Sequence, residues 1–151
     1  MPKPAGGPPP DARTSTLRYR VPFYDTDGMQ VVHHANYVRY LELARVHYLE
    51  EHGLPYAVFV REGLHFAVTH CEVSYLRAAR FDDRLEVTCW LDRVRGATIG
   101  LSYRIERAGE CVARARTEHG MVDLDGRPRR IPRVQREALA ELASTGTSDG
   151  E

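Results

Sequence analysis

The sequence predicts an α+β domain, a curled, mainly antiparallel β-sheet around one long helix. Three observations lead there. Apolar and polar residues alternate over one segment before a central stretch and over three segments after it, the period of half-buried strands, and a further segment after it is rich in β-branched and aromatic residues. The central stretch carries apolar and aromatic residues at every third or fourth position, the period of a helix. The last four strand-like segments follow one another too closely to hold the crossover helices that a parallel sheet requires. A single helix buries its apolar stripe and covers the sheet's inner face only if the twisted sheet curls around it, and the edges left over favour pairing with another subunit.

The elements follow in order. Five of the nine prolines lie in Met1–Pro10, which suggests a flexible Pro-rich leader over 1–14 ahead of one domain over 15–143. The polar end, 144–151, is expected to be disordered. Leu17, Tyr19, Val21 and Phe23 alternate with polar residues and predict a strand ending near Phe23. Tyr24–Val32 has neither period and reads as a polar loop. From about Ala35, the positions Tyr37, Tyr40, Leu41, Ala44, Tyr48 and Leu49 predict a helix of about 17 residues, stopped by Gly53 and Pro55. Tyr56–Gly63 reads as a short helical turn. Strands are expected over Leu64–Arg77, around Leu85–Asp92, over Ala97–Ile105 and over Val112–Leu124, with a turn at Asp125–Gly126. A last amphipathic helix spans Arg133–Ala143. Trp90 falls on the polar phase of its strand and is expected to pack against the leader, the last helix or another subunit.

Composition narrows the function. The chain of 151 residues suits one domain, and 21 Lys and Arg balance 21 Asp and Glu, so the general attraction of a basic protein to nucleic acid is missing. Residues are 42% hydrophobic and 28% charged, as in a soluble globular protein. No apolar run approaches the roughly 18 residues that cross a bilayer, and Met1–Pro10 has no apolar stretch for a signal peptide; the expected location is cytoplasmic, without membrane insertion. Cys71, Cys89 and Cys111 are too few and too scattered for a disulfide framework or a zinc cluster. Lys3 is the only lysine, so arginine clusters carry less information than usual.

The chemistry concentrates just ahead of the long helix, where Asp25, Asp27, His33 and His34 crowd into ten residues. The start of a helix presents backbone N–H groups without intrahelical partners and a positive dipole end, which stabilise a developing oxyanion. A nearby carboxylate serves as base or nucleophile. Acyl transfer suits these parts. The simpler reading of each aspartate is a helix cap or a loop brace; the density of four titratable residues weighs against it. Metal ligation by the same four side chains is set aside because adjacent histidines rarely converge on one ion.

The run YDTDGMQVVHHANYVRYLELAR, followed by SYLRAARFDDRLEV and VDLDGRPRRIP, resembles the acyl-CoA thioesterases of the 4-hydroxybenzoyl-CoA thioesterase and YbgC/FadM type, which have the hotdog fold. The likeness extends from about Ser15 to Arg136. It implies that Asp27 is the catalytic carboxylate, attacking the thioester carbonyl or activating water. It implies that His34 stands where a backbone N–H points at the thioester oxygen, its imidazole assisting, and that Asp25 shapes the loop. Tyr24, Val32 and His33 would line the acyl end, and Thr69 would face the site of a partner chain. The substrate would be an acyl-CoA, with coenzyme A part of substrate and product and no metal or other cofactor. The chain would form a homodimer or homotetramer with its sites at subunit interfaces. The family usually has glycine where Gln30 stands, and YbgC-like members have tyrosine where Phe23 stands.

Coenzyme A needs cations for its phosphates. Arg93, Arg95, Arg129 and Arg130 are the candidates, because guanidinium groups bind phosphate in a fork. Two other functions fit the same loop: a hydratase or dehydratase of enoyl thioesters, separable by whether free thiol is released, and a non-catalytic acyl-CoA or acyl-carrier binding module, separable by binding without turnover.

Overall fold

The structure, a computed structural model, describes residues 7–143. The leader over 1–14 is expected to be flexible and the polar end, 144–151, disordered; of these, residues 1–6 and 144–151 lie outside the described residues. Five antiparallel strands form one sheet in the order β1-β3-β4-β5-β2: β1 (Thr14–Arg20), β2 (His65–Tyr75), β3 (Arg84–Val94), β4 (Thr98–Arg107) and β5 (Glu110–Val122). Three helices accompany it, α1 (Asn36–Glu51), α2 (Tyr56–Arg61) and α3 (Arg133–Leu142). The sheet begins one residue before the expected boundary at Ser15. Among the described residues, no helix is long and apolar enough to cross a membrane.

One face of the sheet and one stripe of α1 make the core. Val87, Cys89 and Leu91 of β3 pair in register with Ile105, Tyr103 and Leu101 of β4, and these six are buried together with Leu85. Tyr37, Tyr40, Leu41, Ala44, Tyr48 and Leu49 of α1 close on them, each large side chain contributing about 1.5–3 kcal/mol by leaving water. The packing is asymmetric: α1 lies against β1 and β3. Over β5 the inward positions become small or polar, Ala113, Ala115, Thr117 and His119, which is why its alternation is weak in sequence. Trp90 is buried on the opposite phase of β3, outside this core cluster.

The first strand ends earlier than its alternation implies. Pro22 has no N–H to give a ladder, and its carbonyl accepts the Asp25 amide at 3.1 Å, so Phe23–Asp25 coil into a 3-10 turn and Phe23 is 74% exposed. Gly53 ends α1 as expected: at φ 82° it lets the Leu54 amide reach the Leu49 carbonyl at 2.7 Å and its own amide reach Glu50 at 3.2 Å.

Candidate active site

Asp25 is the hub of the loop between β1 and α1. Its side chain is 1% exposed, and its carboxylate accepts the Tyr40 hydroxyl at 2.7 Å, the Tyr19 hydroxyl at 2.8 Å and the Arg39 guanidinium at 3.1 Å. Burial pushes its pKa up, but these three donors outweigh burial and hold it below the usual carboxylate range. The Asp25 carbonyl accepts the His33 amide at 3.0 Å and the Asn36 side-chain amide at 2.8 Å. One residue thus ties the loop to both β1 and the first turn of α1. Asp25 shapes the loop as expected. Its partners were missed in sequence, although a tyrosine on a buried phase, as Tyr19 and Tyr40 are, needs a partner for its hydroxyl.

Asp27 sits two residues on, half-buried, at the head of a tight turn. Its amide donates to Val31 at 3.0 Å and its carbonyl accepts the Gln30 amide at 2.8 Å, while Thr26 pairs with Val32. Oδ1 accepts the Met29 amide at 2.8 Å, the loop brace that aspartates favour. Oδ2 has no partner among the described residues. Gln30 adopts φ 64°, the left-handed region where glycine is at ease, which accounts physically for the glycine usual at this position.

The turn leads straight into the helix start. Asn36 and Tyr37 donate their amides to the carbonyls of His33 (2.9 Å) and His34 (3.3 Å). The Ala35 amide, one residue ahead of α1, is taken by His33 Nδ1 at 3.1 Å. The His34 amide is left with no acceptor among the described residues. Tyr75, at the end of β2, donates its hydroxyl to the His34 carbonyl at 3.1 Å and stands edge-on to both His34 and Tyr37. The His33 and His34 rings stack, centroids 4.3 Å apart.

The other candidates spread more widely. Tyr24 is 80% exposed at the loop's rim, and Phe23 meets Phe81 edge-on beside it. Val32 is buried in the core, its amide on the Ala79 carbonyl at 2.7 Å. Thr69 is exposed at the bulge of edge strand β2, its Oγ1 on the Glu118 carbonyl at 3.2 Å. Arg93 pairs with Glu118, and Arg129 with Asp123 at 2.9 Å. Arg95 and Arg130 flank Gly96 at the β3–β4 turn, where the Ile131 amide bonds the Gly96 carbonyl at 2.9 Å. These arginines lie at the end of β3 opposite Arg84, whose register partner Arg20 leads into the loop. Strand rise separates Arg93 from that end by roughly 30 Å, so one chain does not bring them to its own Asp27. Among the described residues, no group of three His, Cys, Asp or Glu side chains gathers as a metal site.

Three comparisons bear on this arrangement. Residues 21–142 match the thioesterase-like superfamily. The acyl-CoA thioesterase YbgC of Haemophilus influenzae is 35% identical over 106 residues, 70% of this chain and 78% of that protein. The crystal structure of a hypothetical protein from Thermus thermophilus superposes with a TM-score of 0.83 at 36% identity, covering 87% of this chain and 99% of the other. A DHNA-CoA thioesterase from Staphylococcus aureus superposes with the same score at 25% identity, covering 85% and 90%. The curled sheet around α1, the loop that ends in an open helix start and these likenesses agree: the chain belongs to the thioesterase-like superfamily and has its hotdog fold.

Proposed function

We propose that this protein hydrolyses an acyl-CoA thioester to the free acid and coenzyme A. The observation that carries the reading is the His34 amide, which lacks an acceptor at the start of α1 while the neighbouring turn presents the unengaged Oδ2 of Asp27. A thioester carbonyl placed on that amide is polarised, and the helix dipole favours the oxyanion that forms. Asp27 attacks the carbonyl carbon, expelling the thiolate and leaving a mixed anhydride for water to open, or it removes a proton from an attacking water. The His34 imidazole assists, Tyr24 and His33 flank the acyl end, and Val32 supports it from the core. Coenzyme A enters as part of the substrate.

The working unit is a homodimer or a larger homo-oligomer. Supporting this, β2 is an eleven-residue edge strand exposed along most of its length, with Val68 and Tyr75, and Leu76 just beyond its end, open to water. Pairing through it turns Thr69 toward a second copy. It also allows Arg93, Arg95, Arg129 and Arg130 of one subunit to serve the Asp27 site of another, with Arg95 and Arg130 the least encumbered.

Asp27→Asn is expected to fold and to lose at least about a thousandfold in kcat on a panel of aromatic, branched and linear acyl-CoAs. Full thiol release by that variant overturns the mechanism. Mixing Asp27→Asn subunits with an Arg95→Ala/Arg130→Ala double variant is expected to restore part of the activity, because one site in each hybrid dimer keeps both its carboxylate and its arginines. No restoration removes the shared-site arrangement.

A further inference from the structure

Because α1 leans on the β1 and β3 half of the sheet, the other half is covered less closely, and a cavity of about 190 Å³ opens there. Val38, Arg39, Leu41, Glu42 and Arg45 of α1 face Val68, Cys71 and Thr117 across it, Arg39 being paired already with the buried Asp25. Arg45 is the anomaly in this wall. Its side chain is 14% exposed, yet among the described residues the only carboxylate paired with it is that of Glu42, 3.8 Å away on a side chain that is 70% exposed. The groups beneath it are neutral. The Tyr103 hydroxyl and Thr117 Oγ1 lie 2.7 Å apart, Thr117 Oγ1 and His119 Nε2 lie 2.9 Å apart, and all three residues are buried in the core. His119 Nδ1 has no close hydrogen-bond partner among the described residues. Arg45 reaches the Tyr103 hydroxyl as a hydrogen-bond donor and acts electrostatically on His119, so its partners on this side are neutral ones. A guanidinium in a low-dielectric wall with a loosely held counter-ion is unfavourable until an anion meets it.

Position along the helix says what kind of anion fits. Nine residues separate Asn36, where α1 begins, from Arg45, roughly 13 Å of rise, and helical side chains lean back toward the N-terminus. An acyl chain held by its carbonyl at the His34 amide and lying along Val38 and Leu41 therefore brings its sixth to tenth carbon, roughly, to the guanidinium. Val38, Leu41 and Val68 suit methylenes; the planar fork of Arg45 suits a carboxylate.

We infer that this cavity is the acyl-tail subsite and that Arg45 binds a carboxylate at the distal end of the chain, so that the preferred substrates are coenzyme A thioesters of medium-length dicarboxylic acids. The inference rests on the thioesterase reading above and adds the substrate class. Glu42, largely in water, is the one acidic side chain lining the cavity and yields its loose contact to the ligand.

The test compares suberyl-CoA with octanoyl-CoA, equal in length and differing in the terminal carboxylate. The full chain is expected to favour suberyl-CoA in kcat/KM by about tenfold or more. Arg45→Met is expected to bring that ratio to about one, and Arg45→Lys, which keeps the charge but not the fork, to an intermediate value. Free suberate is expected to raise the Tm of the wild-type protein more than octanoate does, and Arg45→Met to erase the difference. A wild-type ratio of one, or a ratio that Arg45→Met leaves unchanged, overturns the inference. So does conversion of an oligomer to monomers by Arg45→Met, since the missing anion is then a partner's carboxylate. If Arg45→Met fails to fold, the Arg45→Lys ratio and the wild-type suberate shift decide. Failure of the wild type to hydrolyse any acyl-CoA strikes the thioesterase reading instead, and the Arg45-dependent suberate shift then judges the subsite separately.

Discussion

Gln30 shows how a single residue can carry strain for the sake of a loop. Its φ of 64° closes the turn that begins at Asp27, and no side chain beyond glycine is comfortable there. The turn is kept because the Gln30 amide reaches the Asp27 carbonyl and the Asp27 amide reaches Val31, which together present the carboxylate. Gln30→Gly is expected to stabilise the protein by about 0.5–1 kcal/mol, measured by urea denaturation, because the gain at φ > 0 exceeds the added freedom of the unfolded chain. A loss of stability would show that the glutamine side chain holds the turn in some other way. Asp25 solves the opposite problem. Its carboxylate is deeply buried, and three donors make that burial tolerable.

The strands carry the same logic on their outer face. Asp92 of β3 takes a two-pronged contact from Arg116 of β5 at 2.9 Å on each oxygen, and Arg116 also meets Glu118 at 3.1 Å. The bridge passes over β4 at Gly100, where a methyl group would overlap the Arg116 guanidinium and the Asp92 carboxylate. Gly100→Ala is expected to cost about 1–3 kcal/mol in chemical denaturation, since these half-buried side chains must give up their fork geometry to make room. A change below about 0.5 kcal/mol would mean that the network rearranges freely. At this scale alternation placed β1, β3, β4 and β5, and β-branched and aromatic content placed β2. It overran at Phe23 because the buried-face pattern continues through Pro22 while the hydrogen-bonding capacity does not.

For the molecule as a whole, the buried His119 couples stability to pH. Burial first, and Arg45 second, lower its pKa from 6.5 to about 4. Between these values the unfolded chain binds a proton that the folded chain excludes, so this contribution is complete above about pH 6.5 and shrinks as pH falls toward 4. Stability is therefore expected to decline on acidification through that window, and His119→Gln is expected to flatten the slope by about one proton. Identical pH profiles for the two proteins would refute the coupling. Asp25 acts in a lower window: its depressed pKa contributes stability above the ordinary carboxylate value that is lost as pH falls through the folded one.

The sequence by itself determined the fold class, the order of elements and the segment that carries the chemistry, because periodicity, Gly53 and the crowding of Asp25, Asp27, His33 and His34 are local properties of the chain. Only the tertiary structure decided that Tyr19, Tyr40 and Arg39 converge on Asp25, that Tyr75 steadies the His34 peptide, and that the candidate arginines lie at the far end of the sheet. Those relations depend on which strands pair and in what register, and side chains distant along the chain meet only after the sheet has closed around the helix.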